Sequence, residues 1–451
     1  MSVFITSDAI NQLPAQYLSA FSSIGHLSLS RNRVTETLTA QWDDRAFADV
    51  IVSQISISGI DGVIPPPPAL RLLGSSGLKN LAICHCHVPV QLNESVFADF
   101  HRLQQLLIDK VQIADFSDHA FSGLEKALKS LTLAGTWLGE FPDGPLTNLS
   151  KLTTLNLSGN KIMKIPENAF SSFPALTTLG LGENNLLDDV EAGALDNLPS
   201  SLDSLFLNNI GFTSIPKRVF ERNPQLSVLS LQQNMIEVIR TEDFPSFFHL
   251  THLFLDGNPI TSVETDLFQN VDPSAHITLD LGHARLTELD VAVFGGIQNL
   301  SLQLSWNTVL KKLTVSALDK VPPQFLITAK FTALATIESN FGDLLEQYPQ
   351  AKMDISENVN LVCAGLLWMA PHVLCEQPTR LVIDNSQCAD RKGQYLYEYL
   401  KSEWNGACMS TISPGDTIAT VPSKGIAHRI NPILLIQLFG LSYFFQALLP
   451  C

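Results

Sequence analysis

One eleven-residue template, LxxLxLxxNxL, returns in register along this chain, and it limits the possible folds more than any other feature. It reads LTTLNLSGNKI at 152–162, LTTLGLGENNL at 176–186, LDSLFLNNIGF at 202–212, LSVLSLQQNMI at 226–236 and LTHLFLDGNPI at 250–260. Successive starts lie 24 to 26 residues apart. The same frame recovers 24–34, 78–88, 103–113 and 128–138, with more degenerate copies near Val52, His276, Asn299 and Gln350 and a poor one near Phe325. A period of this length marks a stacked array, because one unit cannot bury its apolar face alone. Within each copy the apolar residues at positions four and six alternate with the period of a strand. An asparagine turned inward at position nine can satisfy backbone groups that would otherwise be buried unpaired.

The segments between templates agree with one another as well. IPENAFSSFPAL (165–176), IPKRVFERNPQL (215–226) and VETDLFQNVDPSA (263–275) follow an IPxxxFxxLxxL pattern, the third loosely, with Val263-Glu264 in place of Ile-Pro and its Phe kept. On these residues the chain resembles the long extracellular subclass of the leucine-rich repeat family, over roughly residues 3–360. The resemblance implies an α/β repeat solenoid. Its expected form is a leucine-rich repeat horseshoe of about 14–15 coils, with a concave parallel β-sheet and phenylalanine-bearing segments on the convex side. Val3, Ile5, Asp8 and Ile10 fit positions four, six, nine and eleven, so the array of 1–360 is expected to start inside a coil. No basic stretch followed by an apolar run opens the chain, and an N-terminal cap and signal peptide are expected to be missing from it.

An array needs closed ends. NVNLVCAGLLWMAPHVLC, followed by Cys388 and Cys408, resembles the cysteine-rich C-terminal flanking cap of the extracellular family, here over 361–408. The family usually opens this cap with CxC, whereas here Cys363 alone precedes Trp368. Four cysteines allow three connectivities. Cys363–Cys388 with Cys375–Cys408 is the one chosen on the resemblance. Residues 409–432 are rich in Ser, Thr and Pro and read as a linker. The uncharged apolar run over 433–451 then reads as a glycolipid (GPI) attachment signal, with Ser423 or Gly415 as the anchored residue. A plain membrane-spanning anchor is the alternative.

The net charge of −16 argues against a nucleic-acid partner, since neutralising phosphates needs a basic surface. It favours basic or neutral partners over acidic ones. Phosphate-loop, HExxH and GxSxG motifs are missing, so no enzyme, catalytic residue or cofactor is expected. The sequence Cys84-His85-Cys86-His87 looks like a metal cluster, but the frame places Cys86 at the inward position nine and Cys84 at the outward position seven. No shared metal is therefore expected, and Cys84 reads as a candidate free thiol.

A binding surface is the better prospect. Positions three, five, seven and eight are expected to be exposed on the concave sheet. Most of the position-five row is small or polar, namely Ser28, Ser56, Thr132, Asn156, Gly180 and Ser230, whereas Phe206 and Phe254 are not. Aromatic side chains displayed on a rigid surface are typical binding anchors. The expected ligand-binding set is Phe206 and Phe254, with Gln232, His252 and Asp256 as polar neighbours and Trp306 farther along. Asn93, Asn148, Asn156 and Asn299 each begin an Asn-x-Ser glycosylation sequon. A sugar on Asn156 is expected to sit on the concave face.

The function expected from these features is that of a cell-surface adhesion or receptor-like ectodomain, membrane-anchored at its C-terminus, with a protein partner. Within the family the chain resembles arthropod members such as chaoptin, and also the non-catalytic leucine-rich repeat subunit of decapod shrimp luciferase. A secreted accessory subunit of an extracellular enzyme is therefore a second reading, and a cytosolic scaffold a third.

Overall fold

The computed structural model describes the chain except residues 7–11, 31–39, 65, 187, 189, 191–192, 245–248, 376–379, 407 and 409–451. The expectations for Asp8, Ile10, Ser423, Gly415, the linker and the apolar tail fall outside the described residues. The described residues form two compact units, one over 1–210 and one over 211–408. Each coil of a stacked array touches only its neighbours, so such a chain can divide inside the repeats.

In the first unit the LxL segments become, among the described residues, nine parallel strands, from Ser2–Thr6 to Ser204–Phe206. Register follows the template: Leu81 sits beside Leu106, Leu106 beside Leu131, and Leu155 beside Leu179. The frame reaches the first residues, with Val3 beside Leu27 and Ile5 beside Leu29. Position-nine asparagines stitch the coils as the template requires. Asn160 Oδ1 accepts from the Thr136 and Leu138 N–H groups at 3.0 and 3.1 Å, and its Nδ2 donates to the Leu133 and Leu157 carbonyls at 2.8 Å each. Opposite the strands, Phe97 packs against Phe100 and Phe121, each with ring centroids 6.0 Å apart. Gly74, in the helix Pro68–Ser76, makes room for Phe100, since a Cβ there would lie 2.7 Å from the ring.

The second unit repeats the design with, among the described residues, seven parallel strands, from Val228–Ser230 to Leu381–Val382. Asn258 and Asn358 bridge coils in the same manner, each accepting from one N–H of the preceding coil, Ile236 or Thr332, and donating to two carbonyls. A column of rings, Phe220, Phe244, Phe268 and Phe294, runs behind the sheet with centroids 6.3, 5.6 and 6.2 Å apart. The unit ends in the cysteine-bearing segment. Cys363–Cys388 and Cys375–Cys408 are the disulfides, each with its Cα atoms 5.3 Å apart, which is the connectivity expected. Asp390 accepts from the Cys363 and Ala364 N–H groups at 2.9 and 3.2 Å, tying the two sides of the first bridge together.

Candidate functional site

Position eight of the template has a conformational role that the consensus does not display. Among the described residues of the first unit it falls on Gly59, His85, Lys110, Gly135, Gly159, Glu183 and Asn209, and every one has a positive φ. In the second it falls on Gln233, Gly257, His283, Trp306, Phe331, Glu357 and Asn385, again all positive. This left-handed residue turns the chain out of the strand. Its N–H then bonds the next coil: His283 to the Ser305 carbonyl at 3.2 Å, and Trp306 to that of Lys330 at 2.9 Å.

Most of these residues are glycine or polar, as the left-handed region favours. Trp306 (φ 64°) and Phe331 (φ 53°) are the exceptions. Bulky residues held there cost on the order of 1–3 kcal/mol each, and such strain concentrates at functional positions. Their rings stack at 4.3 Å and 14°, and the imidazole of His283 lies on the other side of Trp306 at 5.9 Å and 7°. Trp306 is 48 % and Phe331 40 % exposed. His283 Nδ1 is 2.8 Å from Asp256 Oδ1, which holds the imidazole in line. Lys330 Nζ pairs with Asp354 at 2.8 Å beside the stack. The result is a rigid, open ladder of three rings bounded by carboxylates. Phe331 and His283 lie in degenerate coils, so the sequence does not single them out, although the frame gives their position eight.

Asp280 lies in the same region, accepting from the Gly282 N–H at 3.0 Å. Burial pushes its carboxyl up to about 6, with Asp256 adding to the effect and the Gly282 bond opposing it. The folded state therefore holds this proton more tightly than the unfolded chain does. Stability is gained as pH falls through about 6 and lost as pH rises. Asp280→Asn is expected to stabilise the second unit at about pH 7.5 and change little at about pH 4, measured by denaturant titration at both pH values. An equal effect at both would show that the carboxyl does not titrate with folding.

Two expectations about exposure need correction. Phe206, Phe254 and Gln232 are 1 %, 0 % and 8 % exposed, so they are not displayed anchors. Ser56, Thr132, Asn156 and Ser230 of the position-five row are buried too. Position five lies mid-strand, and parallel neighbours under 5 Å away on the same face shade it: Ser230 has Phe254 beside it, and Phe254 has the His252 ring stacked at 6.0 Å. His252 and Asp256 are half-buried, and Trp306 is the one exposed member of the expected set. Cys84 is likewise no free thiol on an open face. It is buried beside Ala82 and Leu107 and is disulfide-bonded. Cys86 is inward as expected, its thiol directed at the Ile60 carbonyl at 3.3 Å and pushed up to about 12 by burial and by Asp61.

The four sequons also separate. Asn93 and Asn148 are exposed outside strands and helices. Asn156 is 3 % exposed, and its Oδ1 accepts from the Ser158 N–H at 3.0 Å, which corrects the expectation of a sugar on the sheet face. Asn299 is half-buried at the start of strand Asn299–Gln303. Expression through a glycosylating secretory route should therefore modify Asn93 and Asn148 and leave Asn156 bare, read by deglycosylation in heavy-oxygen water and peptide mass spectrometry. Substantial heavy-oxygen labelling at Asn156 would contradict this assignment.

The repeat register, the inward asparagine of each coil and the parallel ladders decide the architecture. The fold is a leucine-rich repeat solenoid. The Leucine rich repeat family model matches at 126–186, 150–209 and 200–260. No curated protein matches the chain. Among solved structures, TLR13 in complex with ssRNA13 is 17 % identical with a TM-score of 0.53, covering 87 % of this chain and 58 % of that one. This chain thus spans 58 % of the length of that leucine-rich repeat neighbour, and at such identity the likeness concerns the fold. The APL1 leucine-rich repeat domain is also 17 % identical, with a TM-score of 0.40 over 66 % of this chain and 83 % of that one.

Proposed function

We propose that this chain is a non-catalytic extracellular binding protein, held at the cell surface through its C-terminal segment, that recognises a protein partner. The observation carrying this reading is the exposed Trp306–Phe331 stack on left-handed backbone. Solvent-facing aromatics fixed before binding lose little entropy on contact, and large rigid rings dominate binding hot spots. The disulfides at Cys363–Cys388 and Cys375–Cys408 favour an oxidising compartment over the cytosol. The acidic balance of −16 supports a protein partner over a nucleic acid, and the ssRNA in the TLR13 complex is a property of that protein. Among the described residues no helix is long and apolar enough to cross a membrane, and anchorage rests on the composition of the apolar tail at 433–451.

Two measurements test the proposal. Full-length protein on cells should be released by phosphatidylinositol-specific phospholipase C; retention after active treatment would remove the glycolipid anchor. Proximity labelling from the surface-displayed protein should yield a set of neighbours that falls about tenfold or more in Trp306→Ala/Phe331→Ala at equal display. Unchanged labelling would sink the assignment of the stack as the binding edge.

A further inference from the structure

The first unit holds a groove of about 590 Å³ between the segments 113–118 and 137–145 of two neighbouring coils. We infer that it is a docking site for an extended basic peptide segment of a partner protein. The inference rests on the reading of this chain as a protein-binding scaffold but uses a different unit and a different chemistry from the aromatic stack.

Three observations converge on that occupant. The first is charge: Asp115, Asp118, Glu140 and Asp143 all line the groove, and no Lys, Arg or His does. Like charges facing one space from two coils repel one another, so the groove is relieved by a cationic occupant and rejects an acidic one. The second is an open strand edge. Strand Ile113–Phe116 pairs in parallel with Val90–Leu92 on one side; on its other side the Ile113 N–H donates to the Thr136 carbonyl of the next coil at 3.1 Å, and beyond Ile113 no strand pairs with that side among the described residues. An unpaired edge offers alternating N–H and C=O groups that an extended peptide can take up as an added strand. The third is Trp137, which lines the groove at 57 % exposure with φ 65°. Lys161 Nζ already stands 5.0 Å from its ring centroid, so this indole accepts an ammonium group in the folded chain.

A strand added along Ala114–Phe116 presents every second side chain to the same face. Basic residues at alternate positions would therefore meet the carboxylates, while the backbone meets the edge. Because those carboxylates are exposed, they contribute selectivity and association rate more than a large static attraction.

The test uses the full chain and fluorescein-labelled seven-residue peptides followed by anisotropy. A peptide of alternating lysine and valine should bind, and its glutamate-for-lysine analogue should not. Asp115→Asn/Glu140→Gln, both at exposed positions, should weaken the lysine peptide about tenfold or more, with unchanged thermal unfolding. N-methylation of alternate peptide nitrogens should weaken it by a similar factor, because only strand addition needs those N–H groups. Equal binding by the methylated peptide would overturn strand docking, and equal binding by the double variant would overturn the site. Trp306→Ala/Phe331→Ala should bind the lysine peptide like wild type, so failure of the aromatic-edge proposal is read separately.

Discussion

Asn258→Ala is expected to lower the stability of the second unit by about 3–5 kcal/mol, more than the alanine effect at most surface positions. Asn258 is fully buried, and its one side chain serves two coils. Its Oδ1 accepts from the Ile236 N–H at 3.1 Å, and its Nδ2 donates to the Leu231 and Leu255 carbonyls at 2.8 Å each. Alanine leaves the Ile236 N–H without that acceptor in a dry interior, and each such buried group costs about 1–3 kcal/mol. Hydrogen bonds spanning adjacent coils are the coupling between units of the array, so their loss should also reduce cooperativity. Denaturant titration of the full chain measures both, as a lower midpoint and a shallower transition. A change below about 1 kcal/mol would mean that water enters and replaces the carboxamide.

Phe268→Ala should cost a similar amount, about 3–5 kcal/mol, for a different reason. Phe268 is 1 % exposed and lies between Phe244 and Phe294 in the ring column. Removing the ring forfeits its transfer free energy and leaves a cavity that the rigid strands on the opposite side cannot close. The loss should be local: amide exchange should accelerate first in the short helices Thr241–Asp243 and Val291–Phe294, which carry or adjoin the neighbouring rings. Phe268→Leu should recover more than half of the loss. If alanine and leucine destabilise equally, packing in the column is not what holds these coils.

The two stability predictions rest on features legible in the sequence. Asn258 and Phe268 stand at fixed offsets in a repeated template, and repetition turns each into a statement about geometry. Exposure was less legible. The frame placed Phe206 and Phe254 on the sheet face opposite the core leucines, yet both are buried, because mid-strand positions are shaded by neighbours that come from other coils. Trp306 is a candidate in the sequence from its position alone. What distinguishes it, the stacking partners His283 and Phe331, comes from coils whose consensus is degenerate. Cys84 went the same way: the frame sets it at the outward position seven and suggests a free thiol, and the folded chain holds it buried and oxidised.

The sequence by itself determined the solenoid, its register and its inward asparagines, because those depend on spacing along one chain and are repeated often enough to cancel local noise. Tertiary structure alone decided which outward residues meet solvent, which rings stack, and where carboxylates from two coils face one groove. These depend on side chains about 25 residues apart standing one strand spacing from each other, and no single copy of the template carries that information.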